Sequence, residues 1–115
     1  VVDDNEDITQ MTKELLEFHG YNCATANSGR SCLNILRSEA FDLVLLDVAM
    51  PEVTGVDVLK TVKGDSNLKQ HRIVFITASS VTDNEMKKLV EQGALDCIRK
   101  PISKEGLLGV VQRYA

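Results

Sequence analysis

The sequence predicts an α/β fold in which a parallel sheet carries helices on both faces. Three observations lead there. Short, largely apolar runs such as Phe41 to Leu46 and Ile73 to Ile76 recur along the chain, and they suit strands covered on both sides. Between them lie longer stretches whose apolar residues return at helical spacing. The two kinds of segment alternate β-α five times, and right-handed crossovers narrow that order to a doubly wound sandwich with five strands and five helices.

Val1-Val2 ends abruptly at Asp3-Asp4 and reads as the tail of the first strand. Because the chain opens on Val rather than Met, the beginning of that strand is expected to be missing. Ile8, Met11, Leu15 and Phe18 fall at i, i+3, i+7 and i+10 and predict the core face of a first helix. Gly20 stands where a C-cap belongs. Asn22 to Ala26 is a short second strand, and Ser28 opens a second helix with Leu33, Leu36 and Ala40 on one stripe. The third strand, Phe41 to Leu46, stops at Asp47.

Pro51 and Gly55 punctuate a loop, after which Val56, Leu59 and Val62 mark the third helix. Gly64 to His71 is polar and reads as loop. Ile73 to Ile76 is the fourth strand, ended by Thr77. Thr82-x-x-Glu85 forms a capping box for a fourth helix bearing Met86, Leu89 and Val90, which Gly93 closes. Cys97-Ile98 is a short fifth strand ended by Lys100-Pro101. Ser103 then caps a last helix with Leu107, Val110, Val111 and Tyr114 on its stripe. Gly106 and Gly109 weaken that helix by about 1 kcal/mol each relative to Ala.

A chain of 115 residues holds one domain, residues 1–115, and one core suffices for it. Thirteen basic and seventeen acidic side chains give a net charge of −4, with no basic cluster to grip a phosphate backbone, which argues against direct nucleic-acid binding. The three cysteines, Cys23, Cys32 and Cys97, form no C-x-x-C pair, so free thiols in a reducing cytoplasm are expected rather than disulfides or zinc. No apolar run approaches the ~18 residues of a membrane span, and no signal peptide opens the chain.

Ligands of an open parallel sheet bind beyond the carboxyl ends of its strands. Those ends carry Asp3-Asp4, Asp47, Thr77 and Lys100. Singly, each is an ordinary turn residue, helix cap or surface charge; their joint occurrence at four strand ends is the informative fact. Carboxylates brought together repel until something neutralises them, and a hard cation such as Mg²⁺ suits oxygen ligands and leaves positions open for phosphoryl oxygens. Lys100 can balance remaining charge, the Thr77 hydroxyl can donate to a phosphoryl oxygen, and an Asp is a natural covalent acceptor.

These residues resemble the response-regulator receiver domain of two-component signalling over nearly the whole chain. Val-Val-Asp-Asp-Asn at the start, Leu45 to Gly55, Ile-Thr-Ala at 76 to 78, and Lys100-Pro101 all match in order and spacing. The resemblance implies a flavodoxin-like sheet of order 2-1-3-4-5. It implies a cytoplasmic switch rather than an enzyme with separate turnover, with Asp47 as phosphoacceptor. Asp4, Asp47 and the Ala49 backbone carbonyl would hold Mg²⁺, with Asp3 acting through water. Thr77 would be the switch hydroxyl, Ala78 would leave room for the phosphoryl group, and Lys100 would pair with Asp47 and then with the phosphate. A cis Lys100-Pro101 peptide is implied as well.

The phosphoryl donor would be a sensor histidine kinase or a histidine phosphotransfer domain docking near the first helix. With Ile8 and Met11 read as core, exposed neighbours such as Thr9 and Thr12 are expected to meet it. The signal would leave through the fourth helix, fifth strand and fifth helix, toward an output domain, a downstream protein or a second copy. Two positions depart from the family pattern. Cys97 stands where many members carry an aromatic switch residue three before the Lys, so the aromatic part of the usual Thr/Tyr coupling cannot operate. Ala49, two after the acceptor, cannot position an attacking water.

A haloacid-dehalogenase-like phosphatase would need a second Asp where Ala49 stands, and a cap domain. A dinucleotide-binding domain needs a glycine-rich turn where this chain has Asp-Asp-Asn-Glu-Asp. A phosphorylation-independent pseudo-receiver usually lacks one of the acidic residues or the Lys, all of which are present here.

Overall fold

Val2 sits inside the sheet, between two neighbours, and sets its order. In the computed structural model, which describes residues 1–115, Val2 bridges in parallel to Ala26 on one side and to Leu46 on the other. Its N–H donates to the Leu45 carbonyl at 2.8 Å and its carbonyl accepts from the Asp47 N–H at 2.9 Å. The helices are α1 (Glu6–Phe18), α2 (Gly29–Ser38), α3 (Gly55–Gly64), α4 (Asp83–Glu91) and α5 (Lys104–Tyr114). The strands are β1 (Val44–Asp47), β2 (Ile73–Thr77) and β3 (Asp96–Arg99), parallel and in that order.

Two of the five expected strands are therefore reduced to single bridging residues, Val2 and Ala26. Counting those bridges, the expected order 2-1-3-4-5 holds.

Side-chain alternation along the strands makes the sandwich. Val44, Leu46, Ile73, Phe75 and Cys97 point to one face and pack with Cys32 and Leu36 of α2 and Val58, Leu59 and Val62 of α3, with α4 against this layer through Met86, Leu89 and Val90. Leu45, Val74 and Ile76 point to the other, against Leu16 of α1 and Leu107 and Val111 of α5. Every residue of β1 and β2 is buried, which is why both strands read as unbroken apolar runs.

Helix starts follow the sequence closely. The side chains of Ser28, Thr82 and Ser103 accept the expected N-terminal N–H groups, and Thr82 with Glu85 forms a full capping box. A second box, Thr54 with Asp57, starts α3. Gly20 and Gly93 both adopt positive φ just past α1 and α4, where a side chain would be strained.

Three expectations are corrected. The stripe Ile8, Met11, Leu15, Phe18 is not the core face as a whole: Leu15 is half-buried against the core, but Met11 is 69% and Phe18 83% exposed, while Thr9 and Leu16 are buried. Leu16 packs into the sheet and the Thr9 hydroxyl is engaged by Asn27, which together fix the helix rotation. Thr9 is therefore no exposed docking residue. Ala40 lies beyond the end of α2 and is exposed; Cys32 shares the buried side with Leu36. Apart from Gly64, which ends α3, the stretch 64–71 is loop as expected, and it holds two fully buried side chains, Leu68 and His71, the latter with Nδ1 3.0 Å from the Leu68 carbonyl.

Candidate functional site

Parallel strands in register bring their carboxyl ends to one edge. Asp47 pairs with Ile76 and Thr77 with Arg99, so Asp47, Thr77 and Lys100 finish side by side, and Asp3 follows Val2 beside them. Asp3, Asp4 and Asp47 each offer a carboxylate oxygen within 4.8 Å of the others. The Lys100 ammonium stands 2.9 Å from Asp3 Oδ2 and 3.3 Å from Asp47 Oδ2. All four charged residues expected from the sequence thus meet in one place.

Their surroundings differ. Asp3 is buried, and its other oxygen accepts the Asn5 N–H at 2.9 Å. Asp47 is buried too, with Oδ1 taking the Ala49 N–H at 3.3 Å. Asp4 is exposed, and its carboxylate takes no hydrogen bond from the protein. Burial, and then the charge of Asp3, push the Asp47 carboxyl above its ordinary range, against the pull of Lys100 and the Ala49 N–H. Burial pulls the Lys100 ammonium down, but its hydrogen bond to Asp3 and the charges of Asp47 and Asp3 outweigh it and hold its pKa above the ordinary lysine value. It therefore stays charged.

The hydroxyl-bearing Thr77 is the last residue of β2 and buried, and its carbonyl accepts the Lys100 N–H at 2.7 Å. Ala78 follows it at the surface, opening a turn in which the Val81 N–H reaches the Ala78 carbonyl at 3.2 Å. The Lys100-Pro101 peptide is cis. Cys97 is buried in the layer that faces α2, α3 and α4, and no aromatic ring occupies its position.

Three further residues shape this edge, and no local pattern marks what they do. Gly55 donates to the Val48 carbonyl at 2.9 Å, and a Cβ there would lie 2.5 Å from the Asp47 carbonyl oxygen and 2.8 Å from Val48 Cα. Only glycine lets the loop after Asp47 fold back so closely. Arg99 donates from Nε to the Val81 carbonyl at 2.8 Å and pairs with Asp83, tying β3 to the segment after Thr77. Asn27 donates from Nδ2 to the Asp3 carbonyl at 2.9 Å and to Thr9 Oγ1 at 3.0 Å. Gly55 read only as loop punctuation, and neither Arg99 nor Asn27 belongs to a motif.

Three carboxylates against one ammonium leave two negative charges in a small volume, and the oxygen donors are of the hard type. That donor set fits a divalent cation such as Mg²⁺. A groove of ≈ 480 Å³ adjoins it, lined among others by Ile8, Met11, Thr12, Pro101 and Ile102.

A buried strand-terminal Asp, an acidic pair and a strand-terminal Lys on a doubly wound sheet define a class, and this chain belongs to the response regulator receiver domain family, whose model matches residues 1–112. It is therefore the receiver domain of a response regulator, a signalling module of the two-component type. It is similar to the polar-differentiation response regulator DivK of Brucella ovis, 31% identical over 115 residues that cover 99% of this chain and 92% of that protein. It is also similar in structure to the Vibrio cholerae chemotaxis protein CheY4, with TM-score 0.88, 32% identity and coverage of 99% of this chain and 94% of that one. A CheY-like receiver domain protein from Methanospirillum hungatei superposes with TM-score 0.84 at 30% identity, covering 98% and 89% of the two chains. No helix of the protein is long and apolar enough to cross a membrane.

Proposed function

We propose that this domain accepts a phosphoryl group on Asp47 from a phosphohistidine and thereby switches the face formed by α4, β3 and α5. The observation that carries this reading is the Lys100 ammonium standing 3.3 Å from the Asp47 carboxylate inside the acidic cluster. An Asp47 oxygen attacks phosphorus, the P–N bond to the donor imidazole breaks, and the imidazole leaves with the bonding electrons. Lys100 stabilises the charge on the transferring group, the Thr77 hydroxyl donates to a phosphoryl oxygen, and small Ala78 leaves room for it.

Asp4, Asp47 and the Ala49 carbonyl would hold Mg²⁺ directly, with Asp3 acting through water. The bound ion supplies the charge neutralisation that lets phosphoryl oxygens approach carboxylates. The division between the two acidic neighbours is supported by their partners. Asp3 already faces Asn5 and Lys100, whereas Asp4 is free of the protein.

The donor is a sensor histidine kinase or histidine phosphotransfer domain. Ile8 and Met11 are exposed at the groove beside Lys100, and they offer such a helical partner an apolar contact continuous with the site. Output passes to a linked domain, a downstream protein or a second copy through α4, β3 and α5, in the cytoplasm. The competing reading, a phosphorylation-independent pseudo-receiver, leaves the complete residue set without a purpose.

The test is labelling by acetyl phosphate with Mg²⁺, followed by intact-mass spectrometry. The unaltered chain gains one phosphoryl group and Asp47→Asn gains none. Equal labelling of both, or of neither, rejects the assignment.

A further inference from the structure

We propose that Asn27 is a positioning residue for the acidic site: seated on the Thr9 hydroxyl, it fixes the peptide joining Asp3 to Asp4 and so sets where the Asp4 carboxylate stands. This rests on the reading of Asp4 as a cation ligand.

The argument begins with the valence of one amide nitrogen. Asn27 follows Ala26, whose carbonyl accepts the Asp3 N–H at 3.1 Å, so its side chain starts level with the acidic pair. Its Nδ2 carries two hydrogens, and each has an acceptor: the Asp3 carbonyl at 2.9 Å and Thr9 Oγ1 at 3.0 Å. A carbonyl only accepts, so the atom facing Asp3 must be the nitrogen. The Thr9 hydroxyl gives its own hydrogen to the Glu6 carbonyl at 3.1 Å, leaving a lone pair for Asn27. Thr9 is 2% exposed, so this contact is out of water and does not exchange for solvent.

Asn27 also completes the hold on Asp3. That residue's N–H is bound by Ala26, its Oδ1 by Asn5, its Oδ2 by Lys100 and its carbonyl by Asn27. Asp4 has none of this. Its exposed carboxylate stands within 4.8 Å of oxygens from two other carboxylates and has no partner to keep it there. Mutual repulsion drives it outward, toward solvent. What opposes that is the fixed orientation of the Asp3-Asp4 peptide, whose carbonyl is the group Asn27 grips. Without the amide, the peptide is free to turn and the buried Thr9 oxygen loses its donor.

Residues that orient metal ligands from behind typically cost 10–100-fold in metal affinity when removed. The test uses the whole chain, with Mg²⁺ titrations followed by amide chemical shifts and urea midpoints measured beside them. Asn27→Ala is expected to weaken Mg²⁺ binding about tenfold. Its labelling by acetyl phosphate should slow at low Mg²⁺ and recover at saturating Mg²⁺, a split that general loss of structure would not produce. Thr9→Val, nearly isosteric but without an acceptor, should weaken Mg²⁺ in the same direction, and Thr9→Ser should restore what Thr9→Val loses. If Asp4→Asn abolishes Mg²⁺ binding while Asn27→Ala leaves it unchanged, the positioning role is wrong. Should Asn27→Ala not fold, an unaltered Mg²⁺ affinity in Thr9→Val overturns it equally. If instead Asp4→Asn keeps full affinity, it is the assignment of Asp4 as a ligand that fails.

Discussion

Lys100 Nζ bridges two buried carboxylates, lying 2.9 Å from Asp3 and 3.3 Å from Asp47. Its own side chain is one third exposed, so the bridge is neither a surface pair nor a fully desolvated one. Replacing Lys100 by Ala leaves both acids without their counter-charge. A loss of about 1–2 kcal/mol is expected in metal-free buffer, between the small value of exposed pairs and the 3–5 kcal/mol of broken buried ones. Urea unfolding with EDTA measures it. Millimolar Mg²⁺ should return part of the loss, and a variant as stable as the parent in EDTA would contradict the electrostatic account.

Gly55 lies where a Cβ would overlap backbone atoms of Asp47 and Val48. Backbone cannot swing aside as a long side chain can, so Gly55→Ala should cost about 1–3 kcal/mol, the usual range for overpacking. Because the displaced atoms belong to Asp47 itself, acetyl phosphate labelling should slow as well. Gly109, with open space around it, is the control: Ala there should be neutral or slightly stabilising in thermal denaturation.

Two exposed acids respond to pH through their capping roles. Hydrogen bonds from the Thr54 backbone N–H, and then its side chain, hold the Asp57 carboxyl below its ordinary range, and Thr82 does the same for Glu85. A carboxyl depressed in the folded state contributes stability above its unfolded pKa, and that contribution is lost as pH falls through the folded value. The melting temperature should therefore drop below about pH 4, where such groups protonate. In the double variant Asp57→Asn, Glu85→Gln the drop should be shallower; a parallel curve would remove the caps from the explanation.

Burial pushes the Cys32 thiol up to about 11, and the Cys97 and Cys23 thiols also rise by burial. The thiolate is the reactive form, so native protein at pH 8 should alkylate slowly at all three, slowest at Cys32. Peptide mass spectrometry after a short iodoacetamide pulse reads this directly. Rapid native modification of Cys32 would mean that the layer between α2 and the sheet opens readily.

Met11 faces solvent. Met11→Lys should change stability by less than about 0.5 kcal/mol. Labelling by acetyl phosphate should be unaffected, while transfer from a phosphohistidine protein docking on α1 should slow. A large fall in the urea midpoint would return this residue to the core.

The strand ends were legible because a strand covered on both faces is written as an apolar run, and the first polar residue after it marks the sheet edge. Asp47 and Thr77 are such residues, and Lys100 lies one past Arg99 at the next strand end, so the parallel register that joins them could be anticipated. The rotation of α1 could not. Ile8, Met11, Leu15 and Phe18 share one helical face by spacing, but nothing local tells whether that face meets the sheet, and Leu16 and Thr9 take the inner side. Asn27 escaped for a related reason: an isolated Asn after a strand looks like any turn, and its partners lie 18 and 24 residues away. His71 was hidden by its polar neighbours, although it is among the most buried side chains.

Arg99 fastens the carbonyl of Val81 and the side chain of Asp83 to the outer strand, while the carbonyl of Thr77 is bonded to Lys100. The stretch connecting those anchors is Ala78, Ser79 and Ser80, three small exposed residues. Any travel of the Thr77 side chain must be absorbed as bending within this trio or passed on by tearing the guanidinium from its acceptors. The first course leaves α4 still; the second sets its leading turn loose.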